Sequence, residues 1–216
     1  MKEHERTSPL EKRFDKLGPR VAEALKRRHF DACYCPTGKE ALEKVLSLIP
    51  AGDTVAWGGS LTLSQLGIIE KVKQTNPVID RATASTPEEG QELMRKALLC
   101  DTYLMSSNAI SEDGQLYNID GNGNRVAALI YGPKSVIVVA GMNKITPTIE
   151  DAEIRARTFA APVNAQRFQN ETPCNITGSC ADCLSKTSVC ASMVRTRICR
   201  PAGKIKVVLV GEELGF

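Results

Sequence analysis

Four cysteines in the last quarter of the chain form its clearest chemical pattern. Cys174, Cys180, Cys183 and Cys190 fall within 17 residues. The two-residue gap between Cys180 and Cys183 allows both sulfurs to face one metal ion. Three interpretations stay open for this set: an iron–sulfur cluster of the 4Fe–4S type, a structural zinc ion, and free or redox-switching thiols.

The spacing of these cysteines does not decide between the metals. It lacks the second Cys-x2-Cys pair that is common in zinc sites, and it matches neither the bacterial nor the plant ferredoxin pattern. Cys199 is a spare thiol that could replace Cys190. The other cysteines, Cys33, Cys35 and Cys100, are predicted to be small hydrophobic residues of the core.

A second candidate site begins at Trp57–Ser60, directly after a predicted strand. Gly58 and Gly59 would let backbone N–H groups approach a ligand, at the strand end where α/β sheets usually bind small molecules. A tight turn that merely requires glycine is the equally supported alternative. The next helix is predicted to be capped by Thr62, with Gln65 three residues later.

Polar residues at two further strand ends and one glycine-rich turn are predicted to join this pocket. Arg125 follows an Asp/Gly/Asn-rich turn, and its guanidinium could clamp a carboxylate or a phosphate. The predicted ligand-binding residues are Gly58, Gly59, Ser60, Ser107, Asn108, Asp120, Gly121, Gly123, Asn124, Arg125, Asn143 and Lys144.

Histidine chemistry is nearly excluded, because the chain has only two histidines, His4 and His29. His29 follows a basic helix end and is predicted to be a surface residue there. Whether the protein catalyses a reaction stays open. A general base would come from Asp113, Asp120, Glu150 or Glu212.

The elements that must position these residues are well marked. Four helices are predicted to start at a hydroxyl N-cap with a carboxylate three residues later: Ser8, Thr37, Thr86 and Thr148. Strands are predicted over Asp53–Trp57, Thr102–Ser106, Ser135–Ala140 and Ile205–Val210. Because the β-branched runs do not alternate with polar residues, both faces of the sheet should be covered. We therefore predict an α/β fold with a central, mainly parallel sheet flanked by helices.

Composition limits the other function classes. The 216 residues carry a net charge of +3, with both signs interspersed, which argues against nucleic-acid binding. The longest apolar run, Ser135–Met142, is far shorter than the roughly 20 residues of a membrane span, so no membrane insertion is expected. Met1–Arg28 is charged throughout, unlike a signal peptide, so a cytoplasmic protein is expected. We predict one domain over residues 1–216, with a helical extension at 1–21 and a cysteine-rich insertion at 170–200.

Many of these segments resemble the cysteine-bearing members of the lactate-utilisation (LUD) domain family. The resemblance lies in Trp57–Ser60, Ser107–Ile110, Asp113-Gly114, Asn118–Ala127, Tyr131–Lys134, Gly141–Ile145, Ala161–Ala165, Thr172–Cys174, Gly178–Cys183 and Gly211-Glu212. It implies a fold like that of sugar-phosphate isomerases and coenzyme A transferases. It also implies an accessory role in the oxidation of lactate to pyruvate, with electron transfer to iron–sulfur partner proteins.

An alternative function from another class is an anion-binding enzyme or binding module with a structural zinc loop. A small carboxylate or phosphate would be the ligand in either case, and a homo-oligomer is compatible with both. We expect the four sulfurs to converge on one centre outside the Arg125–Lys144 pocket. They would then form a docking surface for a redox partner.

Overall fold

The structure is a computed structural model that describes residues 6–216. Its helices are α1 (Pro9–Arg27), α2 (Gly38–Ser47), α3 (Leu61–Gln65), α4 (Ile68–Thr75), α5 (Pro87–Lys96), α6 (Asn124–Ile130), α7 (Ile149–Arg155), α8 (Ala161–Ala165) and α9 (Pro173–Thr177). Its strands are β1 (Asp31–Cys35), β2 (Val55–Trp57), β3 (Val78–Ile79), β4 (Thr102–Met105), β5 (Ala109–Ser111), β6 (Leu116–Asp120), β7 (Ser135–Gly141), β8 (Ile145–Thr146), β9 (Ser192–Thr196) and β10 (Ile205–Val210). Short 3-10 segments lie at Arg81–Thr83, Ala97–Leu99 and Met142–Lys144, and a π-helical turn at Ala156–Ala160 joins α7 to α8.

The central sheet has six strands in the order β1-β10-β7-β4-β2-β3, and every neighbouring pair is parallel. Helices cover both faces, so β7 is buried from Val136 to Gly141 without alternation. Alternate residues of β7 enter opposite cores: Val136 and Val138 lie in one, Ile137 and Val139 in the other. The predicted α/β class with a parallel sheet is confirmed.

The order of the strands places three loops side by side. Strands β2, β4 and β7 are neighbours and parallel, so their carboxyl ends meet at one edge of the sheet. The segments that leave these ends are Gly58–Ser60, Ser106–Asn108 and Met142–Lys144. The predicted convergence of polar strand ends therefore follows from the topology.

A smaller sheet stands beyond this edge, with the order β8-β5-β6-β9. Strand β9 pairs antiparallel with β6, with Ser192 opposite Asp120. The segment 170–200, predicted to be an irregular insertion, therefore contains the helix α9 and a strand of this sheet. Its chain passes over the turn after β6, because a Cβ atom on Gly121 would lie 3.2 Å from Val189 Cα.

The N-terminal helix is part of the core. Helix α1 begins at a complete capping box on Ser8, as predicted, and its Phe14, Leu17 and Val21 are buried in the main core. The predicted boundary after residue 21 falls inside this helix, so the extension is not a separate unit. Residues 1–5, including His4, lie outside the described part of the chain.

The predicted N-caps at Thr37, Thr86 and Thr148 are also present. His29 follows the end of α1 with a left-handed φ of 66°, away from the strand ends that carry the predicted site. Over residues 6–216, each helix is too short or too polar to traverse a bilayer.

Candidate functional site

A cavity of about 380 Å³ lies between the carboxyl edge of the large sheet and the β6–β9 side of the small one. Nine of the predicted ligand-binding residues line it: Gly59, Ser60, Ser107, Asn108, Asp120, Gly121, Asn124, Arg125 and Lys144. Gly58, Gly123 and Asn143 do not line it. The cavity thus brings together most of a set that spans 86 positions of sequence, from Gly59 to Lys144.

Lys144 is a buried amine in the wall of this cavity, with a side chain that is only 3% exposed. Its Nζ donates hydrogen bonds to Thr62 Oγ1 at 3.0 Å and to Ser106 Oγ at 2.9 Å. Burial lowers the pKa of Lys144 to about 7, assisted by the positive charges of Arg155 and Arg125. A lysine held this way can be neutral near physiological pH, which an exposed lysine cannot.

Arg125 has a different role from the predicted ligand clamp. Its two terminal nitrogens donate four hydrogen bonds, to Ser106 O, Asn118 Oδ1, Asn108 Oδ1 and Ile119 O, at distances of 2.6–2.9 Å. Its Nε lies 3.5 Å from Asp120 Oδ2. Because all four terminal N–H groups are already used, the guanidinium ties β4 to β6 and offers no free fork to a ligand.

The two adjacent glycines have different roles: Gly58 is structural, and Gly59 belongs to the cavity lining. The Gly58 amide donates to Leu104 O at 3.0 Å, and a Cβ atom there would lie 3.0 Å from Arg125 Cδ. Gly58 therefore makes room for Arg125 and cannot offer its N–H to a ligand. Gly59 lines the cavity, and a Cβ atom on it would lie 2.8 Å from an Arg81 terminal nitrogen.

Arg81 and Arg167 are lining residues that the sequence reasoning missed. Arg81 begins the 3-10 turn after the two-residue strand β3, which is too short to give a strand signal. Arg167 follows α8, in a stretch where no motif was recognised. Within the described chain, neither guanidinium forms an ion pair with a carboxylate; Arg81 contacts Met94 Sδ and Arg167 contacts Asn164 Oδ1.

Asn143, which lies outside the cavity lining, and Ser60, which is part of it, have structural roles. Asn143 Oδ1 accepts from the Leu214 amide at 3.1 Å, so it fixes the segment that places Gly215 and Phe216 in the wall. Ser60, not Thr62, is the N-cap of α3, since its hydroxyl accepts from Leu63 N. Thr62 is instead 1% exposed and lies against Lys144.

Of the four predicted general bases, Asp120 alone lines the cavity. Its Oδ1 accepts from Gly123 N at 3.0 Å, while its buried Oδ2 has no hydrogen-bond partner in the described chain. Asp113 is bonded to Arg28, and Glu212 accepts from the Gly38 amide at the start of α2. Glu150 is exposed on α7.

The charge of the cavity follows from its lining. Three arginines and one lysine line it, Arg81, Arg125, Arg167 and Lys144, and Asp120 supplies the one side-chain carboxylate among the described residues of its lining. Since Asp120 offsets only Arg125, the other cations leave an excess of positive charge. Such a cavity favours a small anion over a neutral or cationic ligand.

The four cysteines of the C-terminal loop line a second cavity of about 130 Å³. It excludes Arg125 and Lys144 but shares Ser188 and Val189 with the first cavity, so the two lie on either side of one chain segment. Over residues 6–216, no three Cys, His, Asp or Glu side chains are grouped closely enough to hold a metal ion. The structure shows a shared cavity, and the metal centre stays a prediction.

The loop between Cys180 and Cys183 turns at Asp182, which has a left-handed φ of 49°. Arg157 holds this turn through an ion pair with Asp182. Cys174 is buried beside Thr172 Oγ1 at 3.3 Å, whereas Cys180 is exposed. The four thiols therefore include a buried one, Cys174, and two that flank a turn, Cys180 and Cys183.

The other cysteines lie elsewhere. Cys199 is 1% exposed in the main core, and its Sγ accepts from Ile205 N at 3.3 Å. It is not available to replace Cys190. Cys35 and Cys100 are buried and Cys33 is half-buried, in agreement with their predicted place in the core.

Comparisons with known proteins concern the whole fold. The LUD domain model matches residues 19–210. The solved structure of a DUF162 family protein from Deinococcus radiodurans aligns over 91% of this chain and 97% of its own, with a TM-score of 0.51 and 10% identity. At that identity the likeness concerns the fold alone. No curated protein sequence matches the chain.

Two further structures align over parts of the chain. Ribose 5-phosphate isomerase A from Methanocaldococcus jannaschii aligns over 50% of this chain and 53% of its own, with a TM-score of 0.33 and 15% identity. The delta subunit of eIF2B from Chaetomium thermophilum aligns over 62% of this chain and 53% of its own, with a TM-score of 0.32 and 16% identity. The fold assignment rests on the sheet itself and on the DUF162 structure.

Proposed function

We propose, from the premise that this chain belongs to the LUD domain family, that it serves lactate utilisation by binding a small carboxylate in the Lys144 cavity. The family implies the metabolic role. The cavity adds the ligand class, because a carboxylate placed there would meet unpaired cationic side chains. One observation carries the proposal: the guanidinium groups of Arg81 and Arg167 line the cavity and form no ion pair with a carboxylate of the described chain.

A 2-hydroxy or 2-oxo acid fits this lining better than a plain anion. Its carboxylate requires a cation, and the oxygen on the neighbouring carbon requires hydrogen-bond partners. The hydroxyl oxygens of Thr62 and Ser106 can accept from a 2-hydroxyl group, and Lys144 Nζ can donate to a 2-oxo group. The same wall therefore offers both groups that such a ligand needs.

Binding can be tested by thermal unfolding with lactate, pyruvate, inorganic phosphate and neutral lactamide. We expect lactate or pyruvate to raise the unfolding midpoint and lactamide to leave it unchanged, because a bound ligand stabilises the folded state. Arg81→Gln should abolish the rise without unfolding the protein, since Arg81 is exposed. The matched control is Lys134→Gln, whose side chain is 89% exposed and outside the cavity.

Two results would contradict this proposal. A rise with phosphate alone would exclude a carboxylate ligand. An equal rise in wild type and Arg81→Gln would place the ligand outside the cavity.

A second candidate function, electron transfer, rests on the four cysteines. Four thiols in one small cavity provide the ligand chemistry of a 4Fe–4S cluster, and the turn at Asp182 lies between two of them, Cys180 and Cys183. Cys174, Cys180, Cys183 and Cys190 would hold the cluster. When bound, it would supply one-electron transfer to an iron–sulfur partner of lactate oxidation.

This candidate is tested by analysing protein purified without oxygen. We expect a brown protein that contains iron and sulfide, and a Cys183→Ala variant that loses both while keeping its fold. A colourless protein with one zinc ion would overturn electron transfer and leave a structural metal loop. A metal-free protein with a folded loop would overturn both kinds of metal centre.

A further inference from the structure

The surroundings of Lys144 are unusual for a lysine that merely attracts an anion. Its Nζ is buried and donates to two hydroxyl oxygens, those of Thr62 and Ser106. Thr62 Oγ1 in turn donates to Leu214 O at 3.3 Å, so its hydrogen is used and it accepts from the amine. Two acceptors match the two N–H bonds of a neutral amine, which then keeps its lone pair free.

The charges around Lys144 also favour the neutral amine. Arg125 and Arg155 are both cationic, and no carboxylate of the described chain pairs with Lys144. Asp120, the carboxylate of this cavity, lies against Arg125. Cationic neighbours in a poorly solvated site are an established way to produce a nucleophilic lysine.

The amine is also accessible to a ligand. Lys144 lines the cavity together with Gly215, and a Cβ atom on Gly215 would lie 3.2 Å from Nζ. A side chain at position 215 would therefore lie against the nitrogen on this side. A small molecule in the cavity can therefore approach the lone pair.

We propose that Lys144 is a nucleophile that captures a 2-oxo carboxylate as an imine. This inference rests on the proposed function, in which a three-carbon acid occupies the cavity. The amine nitrogen attacks the ketone carbon and forms a C–N bond, while a proton passes from nitrogen to the former carbonyl oxygen. The second nitrogen proton then joins that oxygen, the C–O bond breaks, water leaves, and the C=N bond forms. No oxidant or reductant takes part, and a 2-hydroxy acid cannot react because it has no ketone group.

The lining explains why a 2-oxo acid is favoured over a simple aldehyde. The carboxylate next to the ketone can pair with Arg81 or Arg167, which hold the carbonyl in the cavity. The hydroxyls of Thr62 and Ser106 lie within hydrogen-bond distance of the reacting nitrogen. Each hydroxyl accepts from that nitrogen and can pass its own proton to the departing oxygen when it turns away from its carbonyl partner, Leu214 O or Ser107 O.

The test is reductive trapping. The full chain is incubated with pyruvate and sodium borohydride, which converts an imine into a stable secondary amine, and the adduct is located by peptide mass mapping. We expect one adduct per chain, on Lys144. Lactate with borohydride should give none, and acetaldehyde should label Lys144 at least tenfold less than pyruvate does.

Matched variants separate the site from general lysine labelling. Lys144→Arg should reduce labelling at least tenfold, whereas Lys134→Arg should be labelled like the wild type. Mapping in the wild type decides the site even if Lys144→Arg does not fold. Labelling spread over surface lysines, or none at Lys144, would overturn the imine. Thermal stabilisation by pyruvate without trapping would overturn the imine alone, whereas absence of both effects would also overturn the carboxylate pocket.

Discussion

Lys144 Nζ lies 2.9 Å from Ser106 Oγ, which joins the segment after β7 to the segment after β4. The two strands are neighbours, and their carboxyl ends form one side of the cavity. The contact places a basic group against a hydroxyl instead of a carboxylate. This pairing gives Lys144 no counter-charge, and burial then favours its neutral form.

The pH dependence of stability should report on Lys144. Its pKa is lowered to about 7 in the folded protein, from 10.5 for an ordinary lysine. Between these values the unfolded chain binds a proton that the folded chain has lost, so stability rises with pH. Below about pH 7 both states are protonated and the cost of burying the charge is present in full.

We therefore expect the free energy of unfolding of wild type, relative to Lys144→Met, to rise by up to about 1.4 kcal/mol per pH unit above pH 7. Urea unfolding at pH 6, 7, 8 and 9 measures it. The free energy of unfolding of Lys134→Met, a change at an exposed position, should depend on pH in the same way as that of wild type. If the free energy of unfolding of Lys144→Met had the same pH dependence as that of wild type, the lowered pKa of Lys144 would be contradicted.

Replacing Arg125 should lower the free energy of unfolding more than it lowers the affinity for the ligand. Arg125→Lys removes the fork that bonds Asn108, Asn118 and two backbone carbonyls. It leaves buried acceptors unpaired, which costs on the order of 3 kcal/mol. Urea unfolding should show this loss, whereas Arg95→Lys on the exposed face of α5 should show none. A cost below about 1 kcal/mol would mean that Arg125 does not tie the strands together.

The two adjacent glycines should respond differently to alanine. Gly58→Ala places a Cβ atom 3.0 Å from Arg125 Cδ, which is held by its hydrogen bonds and cannot move away. We expect a loss of about 1–3 kcal/mol in urea unfolding. Gly59→Ala meets only the end of the Arg81 side chain, which can swing aside. It should preserve stability and weaken the thermal shift with pyruvate; the reverse order of effects would contradict the assigned roles.

Cys190 and Cys199 provide a matched pair for the metal hypothesis. Cys190 lines the cysteine cavity, and Cys199 is buried in the main core. Cys190→Ala should lose bound metal with little change in the free energy of unfolding of the metal-free protein. Cys199→Ala should keep the metal and lose about 1 kcal/mol of stability, through lost packing. Iron and zinc analysis measures the bound metal, and urea unfolding measures the stability of each variant. Loss of metal from a folded Cys199→Ala protein would refute the assignment of Cys199 to the core alone.

Local patterns in the sequence determined four helix starts and four of the six strands of the central sheet. The hydroxyl–carboxylate pairs predicted the helix starts at Ser8, Thr37, Thr86 and Thr148, because capping involves residues three apart in the chain. The unalternated run at Val136–Val139 predicted a strand buried on both faces. The polar residues that follow the strands predicted a pocket at the carboxyl edge of the sheet, where the structure has a cavity, and ligand binding there stays a prediction.

Only the tertiary structure decided what each of those residues does. Strand order made Thr62 and Ser106 the partners of Lys144, although the three are far apart in sequence. The strand order also gave all four terminal N–H groups of Arg125 partners within the protein. Arg81 lines the cavity from the turn after β3, a strand of two residues that is too short to give a sequence pattern. Sequence patterns report interactions between near neighbours in the chain, whereas hydrogen-bond partners and charge balance depend on residues that meet only after folding.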